Sequence, residues 1–97
     1  MSRPPLDRPL IPRADRHTVN FEVDIEGPTT HVFRTPVRNV SASGMLLKEA
    51  AGLQVGDVVS ARLPRLGVIT CRVVRLRAGE AGVKFDRNIA VADLLAA

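Results

Sequence analysis

Val19-Asn20-Phe21-Glu22-Val23-Asp24-Ile25-Glu26 alternates apolar and polar side chains at every step. A period of two puts one set on each face of an extended chain, so this stretch predicts a half-buried strand with one wet face. Gly27-Pro28 ends it. A second strand is expected from about His31 to Val40, with Phe33, Thr35 and Val37 on one face. Pro36 lacks the N–H that a ladder needs, so an edge or a bulge is expected near it. Met45-Leu46-Leu47 reads as a short third strand. Val58 to Leu63 and Val68 to Leu76 read as two more, joined by a hairpin turn at Pro64-Arg65-Leu66-Gly67. Ala78-Gly79-Glu80-Ala81 then turns into a last strand, Gly82 to Phe85. Six short strands separated by turn signals predict a mainly β protein, a closed or nearly closed antiparallel barrel. The tail from Asn88 reads as a short helix, capped by Asn88 or Asp86, with Ile89, Val91, Leu94 and Leu95 as its apolar positions. At under three turns it needs the barrel to pack against.

Residues 1–16 have a different character. Four of the seven prolines fall here, interleaved with Arg3, Arg8, Arg13 and Arg16. Prolines at this density block both helix and ladder hydrogen bonding, which predicts a flexible, basic N-terminal arm ahead of a barrel domain over 17–97. Such an arm can order on an anionic ligand.

Composition narrows the chemistry. The chain of 97 residues suits one domain, with 45% hydrophobic and 25% charged residues. Only Phe21, Phe33 and Phe85 are aromatic, so the core must be aliphatic. Lys48 and Lys84 are the only lysines, so arginine supplies all but two of the 14 basic residues, against 10 acidic ones. A guanidinium is planar, stacks on bases and forks onto phosphate or a guanine edge. An arginine-rich chain of net charge +4 therefore points to an anionic, planar, phosphate-bearing partner, or to a solvated basic surface. The absence of Trp and Tyr argues against a single-stranded nucleic-acid binder, which needs aromatic stacking platforms.

No enzyme signature stands out. His17 and His31 are the only histidines and have no carboxylate pair at metal-ligand spacing beside them. Cys71, the single cysteine, lies in an apolar strand and reads as a small buried hydrophobe. One cysteine also excludes an internal disulfide and a Cys-based zinc site. No apolar run approaches membrane-spanning length, and the start carries no apolar signal-peptide core, so a cytoplasmic protein is expected.

The informative polar stretch is Asn39-Val40-Ser41-Ala42-Ser43-Gly44. Asn39 offers a donor and an acceptor, Ser41 a hydroxyl, and Gly44 either a positive φ or a close backbone approach. A loop of this kind can read the edge of a planar base, or can simply be a turn bonded to its own backbone. Arg13 and Arg16 stand just before the first strand, whose start can lie beside this loop in an antiparallel barrel. Guanidiniums there could stack on guanine, fork onto its O6 and N7 edge, or neutralise phosphate.

An arginine-bearing N-terminal segment, an [Asp/Asn]-x-Ser-x-x-Gly loop (Asn39, Ser41, Gly44) and a late Gly82-Val83-Lys84-Phe85 strand, in this order, resemble the PilZ domain over roughly residues 8–97. The resemblance implies a six-stranded barrel with a C-terminal helix that binds the second messenger cyclic di-GMP. It implies no catalysis and no cofactor. Arg16 matches the second arginine of the family's Arg-x-x-x-Arg motif, and Asn39, Ser41 and Gly44 match its loop. The chain departs from the motif at Pro12, four residues before Arg16; Arg13 stands one place later and Arg8 further upstream. One lost forked contact to a charged ligand costs about 1.5–3 kcal/mol, which implies weaker binding or a monomeric ligand. The expected function is a bacterial receptor, a monomer or weak dimer, that couples cyclic di-GMP to an effector protein without nucleic acid or membrane insertion. The alternative is a degenerate barrel that acts only through protein–protein contacts.

Overall fold

The computed structural model describes residues 16–27 and 32–95. The alternating stretches become seven strands, β1 (His17–Thr18), β2 (Glu22–Glu26), β3 (Phe33–Val40), β4 (Gly44–Leu47), β5 (Val58–Leu63), β6 (Gly67–Arg77) and β7 (Glu80–Phe85), followed by a helix, α1 (Val91–Leu95). Every pairing is antiparallel, in the order β1-β3-β2-β5-β6-β7-β4. A further pairing of β4 with β3 joins the two ends, so β2 to β7 form a closed six-stranded barrel, with β1 added on β3.

The first expected strand is broken in two. Between Thr18 and Glu22 the chain advances four residues while its partner β3 retreats three, from Asn39 to Pro36. The extra residue in the 19–21 segment is a bulge that re-aims the strand's beginning. Val23 and Ile25 still point inward, fully buried, while Val19 and Phe21 lie partly buried against the core. The irregularity expected near Pro36 falls two residues further on, where the β3–β4 register shifts between Val37 and Asn39. Strand β3 is nonetheless paired on both sides and is no edge.

The barrel interior is aliphatic, as the composition requires, with Ile25, Leu47, Leu63, Val59 and Val73 among its most buried members. Thr35 is the polar exception, fully buried. Its Oγ1 accepts from the Glu49 N–H at 3.1 Å and donates to the Pro36 carbonyl at 3.0 Å, so burial leaves no polar atom of the hydroxyl unpaired. The last turn is tighter than the sequence implies. Ala78 and Gly79, both at positive φ (53° and 81°), form a two-residue hairpin turn, and Glu80 and Ala81 belong to β7.

The helix is also shorter than the sequence implies. Residues 88–90 are not helical, and neither Asp86 nor Asn88 caps α1, which starts at Val91. The Ile89 N–H donates instead to the Ala42 carbonyl at 2.8 Å, and Ile89 and Leu94 are buried in the core. A fixed backbone bond plus apolar burial outweighs a one-turn gain in helix length, because so short a helix has almost no stability of its own.

Closure depends on Gly44. A Cβ there would overlap the Val83 carbonyl oxygen of β7 and lie 3.3 Å from the Lys84 Cα. Gly44→Ala is expected to push β4 off β7 at a cost of about 1–3 kcal/mol, read as a drop in thermal midpoint. Cys71 makes a second prediction. Burial, and then the Asp86 carboxylate, push its thiol from an ordinary 9.0 up to about 12. Above the unfolded value the unfolded chain gives up a proton that the folded chain keeps, so stability falls as pH rises from 9 towards 12. Urea unfolding is expected to fall more steeply over that range in the wild type than in Cys71→Ala.

Candidate functional site

Strand β1 is only two residues long, yet it decides where Arg16 goes. Pairing of His17 with Val40 and Thr18 with Asn39 holds the chain alongside the end of β3, beyond the reach of β2. Arg16 then meets Asn39: its Nη1 donates to Asn39 Oδ1 at 2.9 Å. The guanidinium is exposed while Asn39 is half-buried, so the bond orients an otherwise mobile cation from a fixed base. The side-chain amide of Asn39 accepts through its oxygen here and keeps its NH2 for another partner.

The loop that follows is held by its own backbone and by the C-terminal segment. The Ser41 N–H donates to the Gly44 carbonyl at 2.8 Å. The Ala42 and Ser43 carbonyls accept the N–H groups of Ile89 and Phe85, each at 2.8 Å. Ser41 is buried, 3% exposed, and its hydroxyl works inside the loop. It donates to the Gly44 carbonyl at 3.3 Å and accepts from the Ser43 N–H at 3.4 Å. Ser41 thus stabilises the turn, whereas Asn39 faces outward beside an arginine. Gly44 serves by close backbone approach and not by a positive φ.

Arg16, Asn39, Ser41 and Gly44 line one cleft of about 470 Å³ on the outer surface of the barrel. Ligand sites for small molecules fall in this size range. Its floor crosses β4 and β7, where Gly44 faces Lys84 and Leu46 faces Gly82. The two glycines leave a trough where alternate strand positions would otherwise raise side chains. Gly82 differs from Gly44 in having room: an added Cβ would find only Arg75 atoms, at 3.7 and 3.9 Å. Its emptiness is space that the barrel does not require.

The far wall carries two cations that the motif does not contain, Lys84 on β7 and Arg75 on β6. No carboxylate lines the cleft among the described residues. Lys84 is readable from sequence, since it stands between the inward Val83 and Phe85. Arg75 is not. A strict period of two from Val73 would turn it inward, but the β6–β7 register shifts between Val73 and Arg75, which sets Arg75 opposite the outward Gly82. Glu80, the nearest acidic neighbour along β7, is bonded to Arg38 at 2.9 Å. Arg8 and Arg13 lie outside the described residues, as do the other residues of 1–15 and His31. Among the described residues, no group of three metal-ligating side chains gathers, and no helix is long and apolar enough to cross a membrane.

The family model of the PilZ domain matches residues 11–96. Among solved structures, the chain is similar to the PilZ domain of CeSA from a cellulose-synthesizing bacterium, with a TM-score of 0.64. Sequence identity is 16%, over 78% of this chain and 84% of that one, so this likeness speaks for the fold. None of the curated proteins matches. With the barrel, the loop and its arginine in place and the family model spanning nearly the whole sequence, the chain belongs to the PilZ domain family, whose members are generally cyclic di-GMP-binding domains.

Proposed function

We propose that this chain is a cyclic di-GMP receptor that passes the signal to a partner protein. The observation that carries the reading is the Arg16–Asn39 hydrogen bond at the rim of a cationic, carboxylate-free cleft. Cyclic di-GMP presents guanine edges rich in acceptors and two phosphodiesters. The Arg16 guanidinium, steered by Asn39, keeps donors free to fork onto guanine O6 and N7 or onto a phosphate. The Asn39 NH2 adds a donor to the same edge. Ser41 contributes by shaping the loop and Gly44 by keeping the floor low. Arg13 and Arg8, upstream of Arg16 in the chain, are assigned to the same ligand. Their engagement would gather the N-terminal segment onto the barrel, and the surface so formed is the signal that an effector reads.

Pro12, where the family motif has arginine, sets the expected strength. One forked contact fewer corresponds to roughly ten- to a hundredfold in affinity, unless Arg13 replaces it. The competing reading, a barrel that binds no nucleotide and acts only through protein contacts, rests on the same proline.

Isothermal titration with cyclic di-GMP, with GTP and cyclic GMP as controls, tests the proposal. Selective heat at micromolar or lower concentration is expected; no heat at millimolar ligand overturns the receptor reading in favour of the partner-only barrel. Arg16→Ala and Asn39→Ala are expected to weaken binding, by about ten- to a hundredfold for the arginine, with thermal midpoints unchanged. Ser41→Ala should lower both affinity and midpoint, because the hydroxyl bridges the loop. Gly82→Val is expected to abolish binding while leaving the barrel intact, since a β-branched side chain suits the strand and fills only the trough.

A further inference from the structure

The outer face of β6 and β7 breaks a local rule of sheet design. Arg72 and Lys84 stand directly opposite each other, a like-charge pair that destabilises a sheet. Arg75 lies on the same face beyond the bulge, opposite Gly82, which has no side chain to answer it. Among the described residues, the ion pairs of the molecule lie elsewhere, Arg34 with Glu22 and Asp24, and Arg38 with Glu80. The carboxylate of β7, Glu80, is bonded to Arg38. Uncompensated breaches of local consistency concentrate at functional sites. This one borders the cleft, because Lys84 and Arg75 line it and Arg72 does not.

Resting on the receptor reading, we infer that Arg75 and Lys84 are a second anchor for the ligand and hold a phosphodiester at the end of the trough opposite Arg16. The cleft runs from Asn39 on β3 across β4 and β7 to Arg75 on β6. Three interstrand steps of about 4.8 Å make this roughly 14 Å along the surface. A ligand that meets both ends must carry a hydrogen-bonding base at one and an anion at the other. Cyclic di-GMP has both, guanines hung on a sugar–phosphate ring that contains two phosphodiesters. Gly44 and Gly82 let that ring lie against the backbone, and Leu46 between them gives its sugars an apolar contact. The bulge at Val74 is the device that delivers Arg75, and a phosphodiester seated there relieves the repulsion that Arg72 imposes on Lys84.

The test uses the full chain and cyclic di-GMP titrated at several salt concentrations. Arg75→Gln and Lys84→Gln are each expected to weaken binding about tenfold. The double variant should also show a shallower fall of affinity with salt than the wild type, because two phosphate-facing charges are gone. Arg75→Lys and Lys84→Arg are expected to restore most of the affinity, and thermal midpoints of the single variants should match the wild type or rise. Wild-type binding with unchanged affinity in the double variant overturns this inference alone and leaves the receptor reading standing. Weakened binding with an unchanged salt slope also overturns it, since the loss would then be one of shape. No wild-type binding overturns the receptor reading and this inference together.

Discussion

The barrel and its cleft both rest on the approach of β4 to β7 at Gly44. The other ladders of the barrel join strands through hairpins or along extended, well-patterned segments, and would form an open sheet without it. Strand β4 is four residues long and must pair with β3 on one side and β7 on the other. A side chain at Gly44 would collide with the Val83 carbonyl, so closure is sterically possible there only for glycine. Closure removes the free edges of the sheet and seals the aliphatic interior. The same absence of a side chain lowers the floor of the cleft, so one residue links the stability of the fold to the shape of its surface.

The cleft lies on the outside of a barrel whose inside is ordinary. The interior holds valine, leucine and isoleucine, a satisfied threonine and a buried thiol that burial keeps protonated. Nothing there is reachable by a ligand. Outside, several strands contribute to one surface: a cation from the residue before β1, an amide from β3, glycines from β4 and β7, and further cations from β7 and β6. Under the proposed receptor reading, affinity would come from charge and from forked hydrogen bonds, and would be sensitive to each arginine and to salt.

The loop shows how a motif's residues divide their work. Asn39, Ser41 and Gly44 occur within six positions, yet only Asn39 presents polar atoms outward beside Arg16. Ser41 turns into the loop and Gly44 accommodates a neighbouring strand. The loop is also where the C-terminal segment is tied, through Ile89 and Phe85. That tie connects the loop at the cleft to the C-terminal segment, and it explains why residues after Asp86 follow the loop instead of extending the helix.

The alternation of apolar and polar residues determined by itself the strand order in the chain, the scarcity of aromatics made the core aliphatic, and the position of Arg16 just ahead of the first strand allowed it to lie beside the Asn39 loop. Those features depend on period and spacing, which a single chain carries locally. Element edges were less legible: the 19–21 bulge, the Ala78-Gly79 turn and the late start of α1 each reflect a partner elsewhere in the barrel. On the far wall of the cleft, Lys84 was legible in the sequence, but Arg75 was decided by tertiary structure alone. A period-two reading turns Arg75 inward, and only the register shift against β7 brings it out opposite Gly82. Likewise, Gly44 and Gly82 are equivalent as letters, but one is required by a carbonyl of the next strand and the other would meet only Arg75 at ordinary contact distance. Register and close approach are relations between strands far apart in sequence, and no local pattern contains them.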